Sequence, residues 1–156
     1  MLESVPVILG QYGFFGLFIT SFLGSTIFFP FAVELVIPPL LFYLKNLYLV
    51  VFTITLGSSL GTCINYGLGF LGASIIERRM GKEKINHARR VINKYGWPGL
   101  LFLIALPFPG LPVDPITVFP GMARMNFHEF IVVVFLGKLI KYSIFVGLFN
   151  SLFNLS

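Results

Sequence analysis

The 156-residue chain is 56% hydrophobic and only 11% charged, with a mean hydropathy of +0.91, a balance that excludes an ordinary soluble domain. Its formal charge of +5 does not point to nucleic acid: seven of the eleven basic residues (Arg78, Arg79, Lys82, Lys84, Arg89, Arg90, Lys94) lie in one linker between apolar blocks. The single cysteine, Cys63, excludes an intramolecular disulfide and a multi-cysteine metal site.

The N-terminus carries Glu3 and no basic residue, so no cleavable signal peptide is expected and the mature chain should start near Met1. Residues 13 to 28 predict an apolar helix that runs into Pro30. Between Ser4 and Leu44 the only charge is Glu34, which is followed by Pro38 and Pro39. Two full crossings with a tight turn would need ~40 apolar residues, so 13–44 is expected to be a re-entrant hairpin broken at Pro30, Pro38 and Pro39. Glu34 should sit near the start of a short segment that ends at Pro38-Pro39. From Leu47 to Ile76 the chain has 30 residues without Asp, Glu, Lys or Arg, and 46–74 predicts a membrane-crossing helix.

Residues 75–95 then predict a basic amphipathic linker helix. Such a concentration of Lys and Arg is a cytoplasmic marker, and its basic face should also rest on anionic lipid headgroups. The stretch from Gly99 to Met122 holds Pro107, Pro109, Pro112, Pro115 and Pro120 with Asp114 among them. Proline removes a backbone donor and clashes with the preceding turn, so no continuous helix is expected there. The second hairpin, 96–122, is therefore broken at Pro109, Pro112, Pro115 and Pro120, and a second crossing helix follows at 127–149.

The two halves share one pattern. Tyr12-Gly13-Phe14-Phe15-Gly16-Leu17 is echoed by Tyr95-Gly96-Trp97-Pro98-Gly99-Leu100, at an offset of 83. Beyond the breaks the offset is 80: Glu34 meets Asp114, Asn46 meets Asn126, and Leu56-Gly57 meets Leu136-Gly137. Repeats of this kind (12–74 and 96–153, one membrane domain) cross once each, so they would be inverted. In that architecture a transport site lies near the midplane between the breaks.

Glu34 and Asp114 are the candidate proton- or ion-coupling groups. Both are expected beside helix N-termini, which favour the carboxylate, at a membrane depth that favours the protonated acid. The competing expectation is that they are helix caps, or are paired with Arg124, Lys138 or Lys141. Arg124, Lys138 and Lys141 are the candidate phosphate-binding groups, since a guanidinium grips phosphate with two parallel bonds. Arg124 as a residue snorkelling to the interface is the alternative. Lys138 and Lys141 fall well inside a span and must face protein or water. Tyr95 and Trp97 read as interface anchors, and Gly57 with Gly61 as a close helix contact. No enzyme constellation, metal site or cofactor motif stands out.

Several of these segments resemble one family. Pro30-Phe31-Ala32-Val33-Glu34 before a proline pair, Asn65-Tyr66-Gly67-Leu68-Gly69 and above all Phe119-Pro120-Gly121-Met122-Ala123-Arg124-Met125-Asn126-Phe127-His128-Glu129-Phe130 are similar to the DedA family, also called the SNARE-associated or VTT-domain family. Leu136-Gly137-Lys138-Leu139-Ile140-Lys141-Tyr142 and Val113-Asp114-Pro115 resemble its short YqaA-like branch. The resemblance spans residues 12 to 148. It implies two opposed re-entrant loops, an essential acid at Glu34, an arginine at Arg124, and movement of phosphorylated lipids, including a polyprenyl phosphate carrier, often linked to proton-motive force. One departure stands out: Ile104-Ala105-Leu106-Pro107 lacks the arginine usual before the second break, a charge that Lys138 or Lys141 would supply.

The reading is therefore an all-α integral membrane protein, not an enzyme, that flips or scrambles a phosphate-bearing lipid. The alternatives are a proton-coupled small-ion or solute transporter and a membrane scaffold. The glycine-rich faces leave room for a homodimer.

Overall fold

A computed structural model describes residues 4–28, 33, 37–42, 44, 46–80, 82–106 and 114–153; Glu34, Pro30, Pro109 and Pro112 lie outside the described residues. Every regular element among those residues is helical: α1 (Ser4–Gly24), α2 (Ile37–Leu41), α3 (Leu47–Met80), α4 (Lys82–Ala105), a short 3₁₀ helix (Asp114–Thr117), α5 (Val118–Met122) and α6 (Phe127–Phe153).

Two of these helices are long and apolar enough to cross a membrane, Leu47–Ala73 of α3 and Phe127–Phe153 of α6, each of 27 residues with mean hydropathy 1.8 and 2.0. At 1.5 Å per residue each such segment reaches about 40 Å, beyond the ~30 Å of hydrocarbon. Both start in the same way. The Asn46 side chain accepts from the Leu49 N–H at 3.3 Å, and the Asn126 side chain accepts from the His128 N–H at 3.0 Å. Each occupies an otherwise orphaned helix-start donor.

The long helices turn apolar stripes outward, and α3 buries polar side chains among its apolar ones. Exposed side chains recur every four residues on α6 (Val132, Leu136, Ile140, Ile144, Leu148) and on α3 (Phe52, Leu56, Leu60, Ile64, Leu68). The opposite face of α3 buries Thr55, Ser58, Ser59, Thr62 and Asn65. Several of these hydroxyls bond their own helix, Thr55 Oγ1 to the Val51 carbonyl at 2.7 Å for instance, which satisfies them without a partner helix.

Glycines set the helix contacts. A Cβ on Gly57 or Gly61 would lie 2.6 or 2.2 Å from the carbonyl oxygen of Phe18 or Phe22, so α1 rests directly on α3. Gly69 and Gly121 bring α5 equally close, and Gly137 seats Ile104 of α4 against α6. In one core cluster Val50 and Ile54 of α3 join Tyr142 and Val146 of α6; in the other Tyr66 joins Phe130 and Val134. Ascending positions on α3 meet descending ones on α6, so the two long helices run antiparallel. The chain leaves along α1 and comes back through α2 far enough for the Leu44 side chain to reach Gly13, 3.4 Å from the position of a Cβ there.

Three sequence expectations change. Pro38 and Pro39 stand in the first turn of α2 rather than at the end of a segment, because a first-turn residue has no intrahelical N–H bond to lose. Residues 75–95 do not form a helix of their own: α3 continues to Met80, and α4 begins at Lys82 and carries on to Ala105. Pro98 lies inside α4, where its ring deprives only the Lys94 carbonyl, and Lys94 is exposed, so water can take that bond. The second apolar helix extends to Phe153, one turn past the expected end.

Candidate functional site

Lys138 lies at the middle of α6, eleven residues after Phe127 (138 − 127), and Ser58 lies equally far into α3 (58 − 47). The Lys138 side chain is 3% exposed. An ammonium so buried has lost its hydration and needs oxygen acceptors in return. The described residues supply three of them, from three segments. Asp114 Oδ1 is 2.6 Å away, the Ser58 carbonyl accepts at 2.9 Å, and the Ser25 hydroxyl accepts at 3.1 Å.

Asn65, two turns further along α3, holds the surroundings in place. Its Oδ1 accepts from the Ile27 N–H at 2.8 Å. Its Nδ2 donates to the Ser25 carbonyl at 2.9 Å, the Asp114 carbonyl at 3.0 Å and Thr117 Oγ1 at 3.1 Å. Ser25 and Ile27 follow the end of α1, and Asp114 and Thr117 bound the 3₁₀ helix, so one amide ties together the ends of two interrupted segments. The Thr117 hydroxyl in turn donates to the Asp114 carbonyl. Asp114 thus opens a short helix, as Asp-Pro predicts, but its carboxylate points to Lys138.

Arg124 is elsewhere. It is exposed, with its guanidinium 5.6 Å from the Phe70 ring centroid. Its backbone has φ = 56°, in the left-handed region that glycine usually fills. The Arg124 N–H donates to the Gly121 carbonyl and the Met125 N–H to the Pro120 carbonyl, both at 3.0 Å. This bond pair closes α5 as a Schellman motif with arginine at the glycine position. Tyr66 donates its hydroxyl to the Met125 carbonyl and so pins this loop to α3. Lys141 is buried on α6, with its ammonium 5.5 Å from the Tyr142 ring centroid.

Of the residues singled out from sequence, Asp114 and Lys138 come together, while Arg124 and Lys141 have their described contacts at other points. Pro115 is the second residue of the 3₁₀ helix and Pro120 stands in α5. Ser25, Ser58, Asn65 and Thr117 carry the site without having been marked as candidates. A signal for three neighbours was present: Ser58, Thr62 and Asn65 recur at helical spacing inside a run that lacks any charge.

A helical protein with apolar stripes turned outward, a polar stretch of α3 turned inward and a buried ion pair near the middle of two 27-residue apolar helices belongs to the class of membrane proteins. The VTT domain model matches residues 29–151, and the chain belongs to the VTT-domain (DedA) family, with the transporter-like membrane function that membership implies. The chain is also 26% identical over 145 residues to an uncharacterized protein of Methanocaldococcus jannaschii, covering 92% of this chain and 88% of that one. No solved structure matches it.

Proposed function

We propose that the protein moves a phosphate-bearing lipid, a polyprenyl phosphate or a phospholipid, across the bilayer through the space between two opposed hairpins. The observation that carries this reading is the Lys138–Asp114 pair, buried halfway along two apolar helices and bounded by the ends of both interrupted segments. Intramembrane ion pairs on broken segments mark substrate and ion pathways. Antiparallel α3 and α6, each capped by an asparagine at equivalent positions, support inverted repeats. The return of the chain from α1 to Leu44, against Gly13, supports a first re-entrant hairpin. The basic segment from Arg78 to Lys94 would then be cytoplasmic and touch anionic headgroups.

In this mechanism Arg124 meets the phosphate first. An arginine kept where the backbone favours glycine suggests that its side chain is needed. Lys138 and Lys141 receive the phosphate in the interior. Lys138 becomes available as Asp114 takes a proton, since a neutral carboxyl no longer holds the ammonium. Glu34 is the matching acid of the first half. The test is lipid transport in proteoliposomes with labelled polyprenyl phosphate and labelled phospholipid. Glu34→Ala and Arg124→Ala should each slow transport at least tenfold; wild-type rates in both would sink the mechanism.

A scaffold is the second reading, favoured by Asn65, whose amide is wholly engaged inside the protein. In that case the same substitutions lower thermal stability with no separate loss of transport. A proton-coupled carrier of small ions or solutes would instead show proton flux driven by solute rather than by lipid.

A further inference from the structure

Among the described residues, the acceptors around Lys138 include a carboxylate oxygen, a main-chain carbonyl and a hydroxyl, at 2.6, 2.9 and 3.1 Å. These are hard oxygen donors converging from three segments, the kind of set that coordinates small monovalent cations in membrane proteins. The separations suit an ammonium, and the potassium ion is of nearly the same size. The set is also assembled without help from lysine. Ser58 is fixed within α3, while Asn65 holds the Ser25 and Asp114 backbones through their carbonyls. Taking the ammonium away would leave a largely buried carboxylate beside two lone-pair donors, an arrangement with a strong demand for positive charge.

We propose that Ser25, Ser58 and Asp114 form a monovalent-cation site and that the Lys138 ammonium is its tethered occupant. In the resting protein the tethered side chain does what a free cation would do by binding from solution. Wild-type protein therefore has no requirement for Na⁺ or K⁺ at this position, and a shortened residue 138 converts the site to one that takes up free ammonium or potassium. This is a claim about the resting site and does not rest on the lipid-transport reading, because its readout is the stability of the purified protein.

The experiment is thermal unfolding of the full chain in nanodiscs of zwitterionic lipid, with NH₄Cl, KCl, NaCl or choline chloride at one ionic strength. Wild type should melt at the same temperature in all four salts. Lys138→Ala should melt lower in choline and recover saturably by about 5 °C in NH₄⁺ or K⁺, less in Na⁺. Lys138→Ala combined with Asp114→Asn should show no cation preference. Equal melting of Lys138→Ala in choline, K⁺ and NH₄⁺ overturns the proposal. So does a saturable K⁺ stabilisation of wild type that Asp114→Asn removes, which would mean that a free cation already has access. Should Lys138→Ala fold only in NH₄⁺ or K⁺, the proposal is upheld by recovery of folded protein. If neither Lys138→Ala nor Lys138→Ser is recovered folded in any of the four salts, free cations cannot replace the ammonium and the proposal fails.

Discussion

The ammonium of Lys138 donates a 2.9 Å hydrogen bond to the carbonyl of Ser58, and the two residues are 80 positions apart. That is the offset by which Asp114 follows Glu34, Asn126 follows Asn46 and Gly137 follows Gly57. Equivalent positions of a two-fold repeat can touch only near the axis that relates them. On the inverted-repeat reading proposed above, the ion pair would lie beside that axis, with serine on one side and lysine on the other.

Removing one partner of the pair should cost far more than removing both. Lys138→Met leaves the Asp114 carboxylate without its ammonium, and Asp114→Asn takes the 2.6 Å carboxylate from a buried ammonium. Each is expected to lower stability by about 3–5 kcal/mol, while the double variant recovers most of that loss. A double-mutant cycle on thermal or chemical unfolding measures it, and additive losses would contradict the direct pairing.

Asn65 predicts a different signature. Asn65→Leu strands the Ile27 N–H and the Ser25 carbonyl, at about 1–3 kcal/mol each, and leaves the Asp114 carbonyl with the Thr117 hydroxyl but no tie to α3. Hydrogen exchange should accelerate at Ile27 and around Asp114–Thr117 together, although these segments are far apart in sequence. Acceleration confined to α3 would show that the amide does not couple them.

The glycines divide into those that carry a contact and those that do not. Gly61→Ala would put a methyl 2.2 Å from the Phe22 carbonyl oxygen, and Gly121→Ala one 2.0 Å from that of Tyr66. Neither methyl can be fitted without moving backbone, so each variant should lose several degrees of melting temperature. Gly67, also inside α3, has nothing within 4 Å of the same position. Gly67→Ala should be neutral or gain up to ~1 kcal/mol from helix propensity.

How much of this was legible in the sequence follows from the range of the interactions. The two long helices announce themselves locally, by long apolar runs and by asparagines at their starts. Pro38-Pro39 misled because proline stops a helix from within and also starts one, and the dipeptide alone does not say which. The passage of α4 through Pro98 depends on an exposed carbonyl one turn back, a matter of environment. Asn65 escaped notice because its partners are 38 to 52 residues away. An amide inside an apolar helix advertises burial but not what it binds. Asp114 was visible as a candidate, yet among Arg124, Lys138 and Lys141 only the tertiary fold selects Lys138.

Arg124 allows structure and chemistry to be separated at one residue. Its φ of 56° is costly for any side chain with a Cβ, by about 1 kcal/mol relative to glycine, and Arg124→Gly relieves that cost against whatever the side chain's contacts contribute. The Schellman bonds to Gly121 and Pro120 are made by backbone and survive the change. What disappears is the side chain, with the guanidinium over Phe70, its other contacts and any grip it has on phosphate. If Arg124 serves a headgroup, Arg124→Gly should still fold and yet move labelled lipid at least tenfold more slowly, with Arg124→Lys intermediate because an ammonium makes one contact where a guanidinium makes two. Should Arg124→Gly transport lipid at the wild-type rate, the strained arginine has no part in substrate handling, and the interior lysines alone would have to account for phosphate binding.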